Sequence, residues 1–209
     1  MKTRHGVLLF VLALAAGCAG KYDYVRPTSD GRADNVKIVD RPRDAVWSAT
    51  VPALGAQYFV INSLDKSSGL INLSFSGDPE ANVDCGRITT YVKNLRGERT
   101  YEFPGARAAQ VYEYMAPDGG ALYSINRRMG LEGRVNLILE ELGPNQTRAT
   151  VTVRYVVSKN IDSVNTEGRR NHLQEAISFN TGASAAFPTG KTECVGLGKI
   201  ERDVLALVR

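Results

Sequence analysis

The reactive side chains of this 209-residue chain are few, and their spacing limits the chemistry open to them. Three cysteines are present, Cys18, Cys85 and Cys194, and two histidines, of which His172 alone lies beyond the N-terminal apolar stretch. Cys18 closes the N-terminal apolar stretch, which leaves Cys85 and Cys194 as a pair. In an oxidising compartment such thiols persist as a disulfide. A bridge closing a loop of about 110 residues adds roughly 2–4 kcal/mol, the usual range for a disulfide. Two buried free thiols or a metal pair are the alternatives, although structural zinc asks for four ligands and no histidine lies near either cysteine in sequence. His172 follows Arg169, Arg170 and Asn171, a solvated setting. A Ser-His-Asp triad would have to recruit it, yet no G-x-S-x-G elbow occurs. The run Gly182-Ala183-Ser184-Ala185-Ala186 has Ala where the last Gly belongs and reads as a small-residue loop. Asp78, Glu80 and Asp84 cluster near a turn without EF-hand spacing, and there is no H-x-x-x-H or C-x-x-C. Glu132 opens a strand-like run that Glu140 and Glu141 close. Paired carboxylates for glycoside chemistry must face one cleft, whereas a charged strand end is the commoner reason for such residues. The expectation is a protein with no catalytic residue, metal or cofactor.

Cys18 has its own context. Lys2 and Arg4 form a positive start, Val7 to Leu14 an apolar core, and Ala15-Ala16-Gly17 put small residues directly before the cysteine. This is the layout of a secretory signal peptide over residues 1–17. The apolar run is too short for a bilayer of about 30 Å, which needs roughly 20 residues. The stretch Leu14-Ala15-Ala16-Gly17-Cys18 resembles the lipobox of bacterial lipoproteins. That resemblance implies cleavage before Cys18, acylation of its sulfur, palmitate among the chains, and acylation of the new amino terminus. Each buried methylene contributes about 0.8 kcal/mol, and stable anchoring takes two such signals. Ala19 and Gly20 follow with no Asp beside the cysteine, which in bacterial lipoproteins implies passage to the outer membrane, facing the periplasm. Residues 18–34 are rich in turn formers and read as a flexible tether behind the lipidated cysteine.

The formal charge is +4 and the isoelectric point about 9.0. Loss of Lys2 and Arg4 with the leader brings the chain nearer neutrality, and no basic stripe marks a nucleic-acid partner. The length fits one domain with a sizeable core, placed at residues 35–209.

Within that domain, Asn35–Val39 reads as a short strand. Asp40 before Arg41-Pro42 marks a helix start, and Ala45, Val46, Ala49, Ala53 and Leu54 share one helical face, with Trp47 at its flank. Pro52 and Gly55 end it. Gln57–Ser63 and Leu70–Phe75 form a hairpin around the turn Asp65-Lys66-Ser67-Ser68-Gly69. Residues 94–106 read as irregular, and Arg107–Met115 as helix or strand. Ala121–Arg127, Leu131–Leu142 and Arg148–Val157 resume the sheet, with Val135, Leu137, Leu139, Val151, Val153 and Tyr155 expected inside. Ser158–Glu175 reads as mobile or loosely packed, Ile177–Phe179 as a short edge strand. Ile200, Val204, Leu205 and Val208 recur at helical spacing near the end. One early helix, an antiparallel sheet and a closing helix predict an α+β domain, with the strands wrapped about the last helix as in a helix grip. A Cys85–Cys194 bridge would then staple that helix to the sheet.

The segments Asp40-Arg41-Pro42-Arg43-Asp44-Ala45-Val46-Trp47, Ala53-Leu54-Gly55, Phe59-Val60 and Asp65-Lys66-Ser67-Ser68-Gly69-Leu70-Ile71 resemble the repeated domains of BamC-type lipoproteins. Those belong to the outer-membrane β-barrel assembly machinery and have a helix-grip fold. The stretches GLINLSFSGDPE…VDCG and CVGLGKIERDVL also look like a group of uncharacterised proteobacterial lipoproteins. The resemblance implies a lipid-anchored envelope protein, non-enzymatic, acting as an interaction or scaffolding module beside an envelope protein partner. A sheet curved over a helix can also enclose a cavity, which makes a binding module for an apolar or lipid ligand the rival expectation.

Overall fold

A computed structural model describes residues 18–31, 34–116 and 120–209. The signal peptide expected at 1–17 lies outside the described residues. The chain is an α+β structure of mostly antiparallel strands in three sheets, with one early helix and one C-terminal helix.

Two long strands form its spine. β9 (Leu122–Gly143) and β10 (Gln146–Asn165) turn at Pro144-Asn145 and stay paired to Tyr123↔Asn165. Each changes its outer neighbour halfway. β9 borders β4 (Leu70–Gly77) along Leu131–Ile138, then β8 (Ala109–Met115) along Leu122–Arg128. β10 borders β2 (Val36–Val39) along Thr147–Thr150, then β11 (Arg170–Asn180) along Arg154–Val164. β3 (Val60–Asp65) completes this sheet beyond β4. Side chains alternate across a strand, so odd-numbered residues of both spine strands share one face. On it Val135, Leu137, Leu139, Val151, Val153 and Tyr155 are fully buried.

At the hairpin-turn end this face is covered by two helices. α1 (Arg43–Gly55) contributes Val46, Thr50 and Leu54, one residue per turn, and its alanines are only half-buried. It starts behind Pro42 with no side-chain cap, and Asp40 instead accepts a hydrogen bond from Gln146 Nε2 at 3.0 Å. α3 (Lys199–Leu207) contributes Ile200, Val204 and Leu205. The face also carries a glycine for a reason: a Cβ on Gly133 would stand 2.3 Å from the Phe75 ring, which lies over it.

The other end is covered by a second sheet, β1–β6–β7, made of β1 (Ala19–Val25), β6 (Arg87–Asn94) and β7 (Gly97–Pro104). The flexible tether expected over 18–34 is therefore corrected in part. Ala19–Val25 is a strand in register from Ala19↔Lys93 to Val25↔Arg87. Its alternation puts Tyr22 and Tyr24 opposite in phase to Lys21 and Asp23. Residues 94–106 are largely the turn and second arm of the β6–β7 hairpin, 107–115 end in strand β8, and 158–175 are spine and β11, not a loose segment. A third, small sheet joins β12 (Ser184–Ala186), β13 (Glu193–Gly196) and β5 (Val83–Asp84), the last entered from a one-turn helix α2 (Pro79–Asn82).

Cys85 and Cys194 are bonded, Sγ to Sγ at 2.02 Å. The bridge fixes the strand that leads into α3 to the entry of β6, so it ties the helix-bearing end to the β1–β6–β7 sheet.

Candidate functional site

The features that suggest chemistry in the sequence are dispersed. His172 Nδ1 lies 2.7 Å from Asp162 Oδ1, and Arg128 Nη2 2.7 Å from Asp162 Oδ2, in an open groove of about 590 Å³ on the outer face of β9–β10–β11. The His172 hydrogen bond, helped by Arg128, holds the Asp162 carboxyl below the usual range. Ser184 Oγ donates to Glu193 Oε1 at 2.6 Å, in the small sheet. Glu132 and Glu140 stand eight residues apart on one strand, about 27 Å at the usual rise, beyond the ~5–9.5 Å that glycoside chemistry uses. Asp78 caps α2, and Asp84 accepts amides from Thr28 and Gly86. No group of three or more metal-ligating side chains occurs among the described residues.

Cys18 is exposed and immediately precedes β1. The pair Ala19↔Lys93 places it beside the turn between β6 and β7, where Leu95 is 90% exposed. Gly20 makes this placement tight, since a Cβ there would stand 2.0 Å from the Met115 carbonyl oxygen of β8. No helix among the described residues is long and apolar enough to cross a membrane.

One pocket is built differently from the rest. It holds about 330 Å³ between β1–β6, β8, the spine and the 187–192 loop. Tyr22, Tyr112 and Tyr114 supply aromatic walls, with Ile88, Ile125 and Ile161 beside them. Two cations point into this apolar lining, because Arg127 and Lys159 occupy odd, inward positions of β9 and β10. Arg127 is 1% exposed. Its Nη2 donates to the Gly105 carbonyl at 2.5 Å, while Nη1 is buried without a hydrogen-bond partner. No carboxylate pairs with it among the described residues. Burial holds its pKa below the ordinary guanidinium range, opposed by the phenols of Tyr112 and Tyr22.

Lys159 is satisfied by contrast. Its Nζ lies 2.9 Å from Glu175 Oε2, donates to Thr189 O at 2.8 Å, and sits 4.4 Å above the Phe187 ring. Glu175 Oε1 in turn accepts the Thr189 amide at 3.0 Å, so the pair also clamps the loop that walls the pocket. Burial lowers the Lys159 amine against the raising pull of Glu175. Burial also pushes the Tyr112 phenol up to about 12. The arrangement can therefore hold a partly apolar molecule and offers one uncompensated positive charge to it.

Sequence reasoning names neither cation, yet the signal is present. The alternation of Leu131, Val135 and Leu137 carried back one more step past Met129 puts Arg127 inside, and that of Val153, Tyr155 and Val157 carried forward puts Lys159 inside. Comparison with known protein families, with curated proteins and with solved structures finds no match.

Proposed function

We propose that this chain is a lipid-anchored protein of the bacterial envelope, held at the outer membrane through acyl chains on Cys18, and that its folded part is a non-enzymatic interaction module in a helix-grip arrangement. The observation that carries the reading is the position of Cys18, exposed and one residue from a strand locked into the β1–β6–β7 sheet. Acyl chains there hold the Leu95 turn at the bilayer and leave the helix-bearing end of the spine free for an envelope protein partner. The resemblance of the 40–71 segments to BamC-type domains supports the same setting. Crosslinking in living cells tests it, with tagged wild type beside Cys18→Ser. Palmitate labelling and capture of envelope-complex components by the wild type alone are expected. An unlabelled chain that captures nothing argues against it.

A second reading, a binding module for an apolar or lipid-like ligand, is favoured by the tyrosine-walled pocket. Heat-stability shifts with fatty acids separate the two.

A further inference from the structure

We propose that the pocket around Arg127 is a binding site for an organic monoanion, a single carboxylate head on a short apolar body. This rests on the second reading above and specifies its ligand.

A buried ion without a partner is costly, because its attraction to an opposite charge is what offsets lost hydration. Lys159 has that partner in Glu175, 2.9 Å away. Among the described residues Arg127 has only a backbone carbonyl, and its Nη1 is both buried and unpartnered. The site thus lacks one negative charge. A carboxylate supplies that one charge and accepts from a guanidinium in the planar geometry that suits it. A phosphate dianion would bring one charge too many into a lining that is otherwise aromatic and aliphatic. The walls of Tyr22, Tyr112, Tyr114, Ile88, Ile125 and Ile161 call for an apolar body. A volume of about 330 Å³ stands at the small end of ligand pockets, which suits a short chain or a single flat ring and not a diacyl lipid. Tyr22 is 37% exposed, and so gives the ligand a side from which to enter.

Calorimetric titration of the folded, disulfide-bonded protein at pH 8 with octanoate, octan-1-ol and inorganic phosphate tests this. Octanoate is expected to bind at least tenfold more tightly than octan-1-ol, and phosphate without measurable heat. Arg127→Met is expected to abolish that preference while leaving octan-1-ol binding intact, with a Tm no lower than wild type in the absence of ligand. A residue that serves only to hold Gly105 would lower the Tm when removed. Should Arg127→Met not fold, Ile161→Trp fills the pocket without touching the cation, and octanoate binding is expected to disappear. Equal affinity for octanoate and octan-1-ol overturns the anion site and leaves the apolar-ligand reading standing. Binding of neither overturns both, as does octanoate affinity unchanged in Ile161→Trp. Anchoring through Cys18 is unaffected by any of these results.

Discussion

Glu201 shows how a single residue joins the C-terminal helix to the spine. It is 1% exposed, and its two carboxylate oxygens accept from Tyr155 Oη and Thr181 Oγ1, each at 2.7 Å. Thr181 Oγ1 also accepts the Val153 amide at 2.8 Å, so one chain of bonds runs from β10 through two hydroxyls to α3. Replacing a buried, doubly bonded acceptor leaves hydroxyls unsatisfied, at roughly 1–3 kcal/mol. Glu201→Leu should therefore lower the urea midpoint without changing its slope. The Lys159–Glu175 pair offers a sharper test. Its side chains are 4% and 10% exposed, and removing one partner of a buried pair costs about 3–5 kcal/mol. Lys159→Met alone should lose that much, and Lys159→Met with Glu175→Met much less, a coupling that a double-mutant cycle reads directly. Tyr112 sets an alkaline limit. Its folded pKa of about 12 exceeds the ordinary value of 10.0. The stability it contributes is therefore whole below pH 10 and is lost as pH rises from 10 through about 12. Denaturation at pH 9 and pH 11.5 should show the fall, and Tyr112→Phe should reduce it.

Among the elements, those whose burial is one-sided and apolar were legible from the residues. The 57–75 hairpin, the inward set from Val135 to Tyr155 and the closing amphipathic helix all follow from periodicity, and all three are in the structure. The elements that escaped notice bury polar or aromatic side chains on the same period. Lys21-Tyr22-Asp23-Tyr24-Val25 alternates like any edge strand, but its short length, Gly20 and two charges read as linker. Residues 158–165 continue the β10 alternation with Lys159 inside, and a charge at an inner position masks the pattern. The candidate pocket was illegible for the same reason, since its distinguishing feature is a cation where the period calls for an aliphatic residue. Only the folded arrangement shows that Lys159 has Glu175, from another strand, while Arg127 has no carboxylate among the described residues. The β1 placement is testable by itself. Gly20→Val forces side-chain atoms into the Met115 carbonyl, and should speed amide hydrogen exchange across Lys21–Val25 while leaving β10 amides protected.

For the molecule as a whole, the bridge between Cys85 and Cys194 joins parts that otherwise meet through few strands. A disulfide such as this one, over a sequence separation of 109 residues, typically contributes about 2–4 kcal/mol. For a chain of this size that corresponds to roughly 5–15 °C in Tm. Reduction with dithiothreitol, or Cys85→Ser with Cys194→Ser, should lower the Tm by that amount, and an unchanged melt would show that the bridge does not bear on global stability.

The β9–β10 spine has a mechanical consequence. Twenty residues of β10 are paired alongside β9, so the two strands run together for about 65 Å of strand at the usual rise. The exposed Cys18 stands near one extremity, where Gly20 meets Met115 and Met115 pairs with Leu122 at the start of β9. The helices cover the other extremity. A pull from Cys18 along this direction enters through β1, whose ladder to β6 from Ala19↔Lys93 to Val25↔Arg87 is loaded in shear. Were Cys18 acylated as proposed, tension from a bilayer would enter the fold along these strands and reach the helical end through the spine.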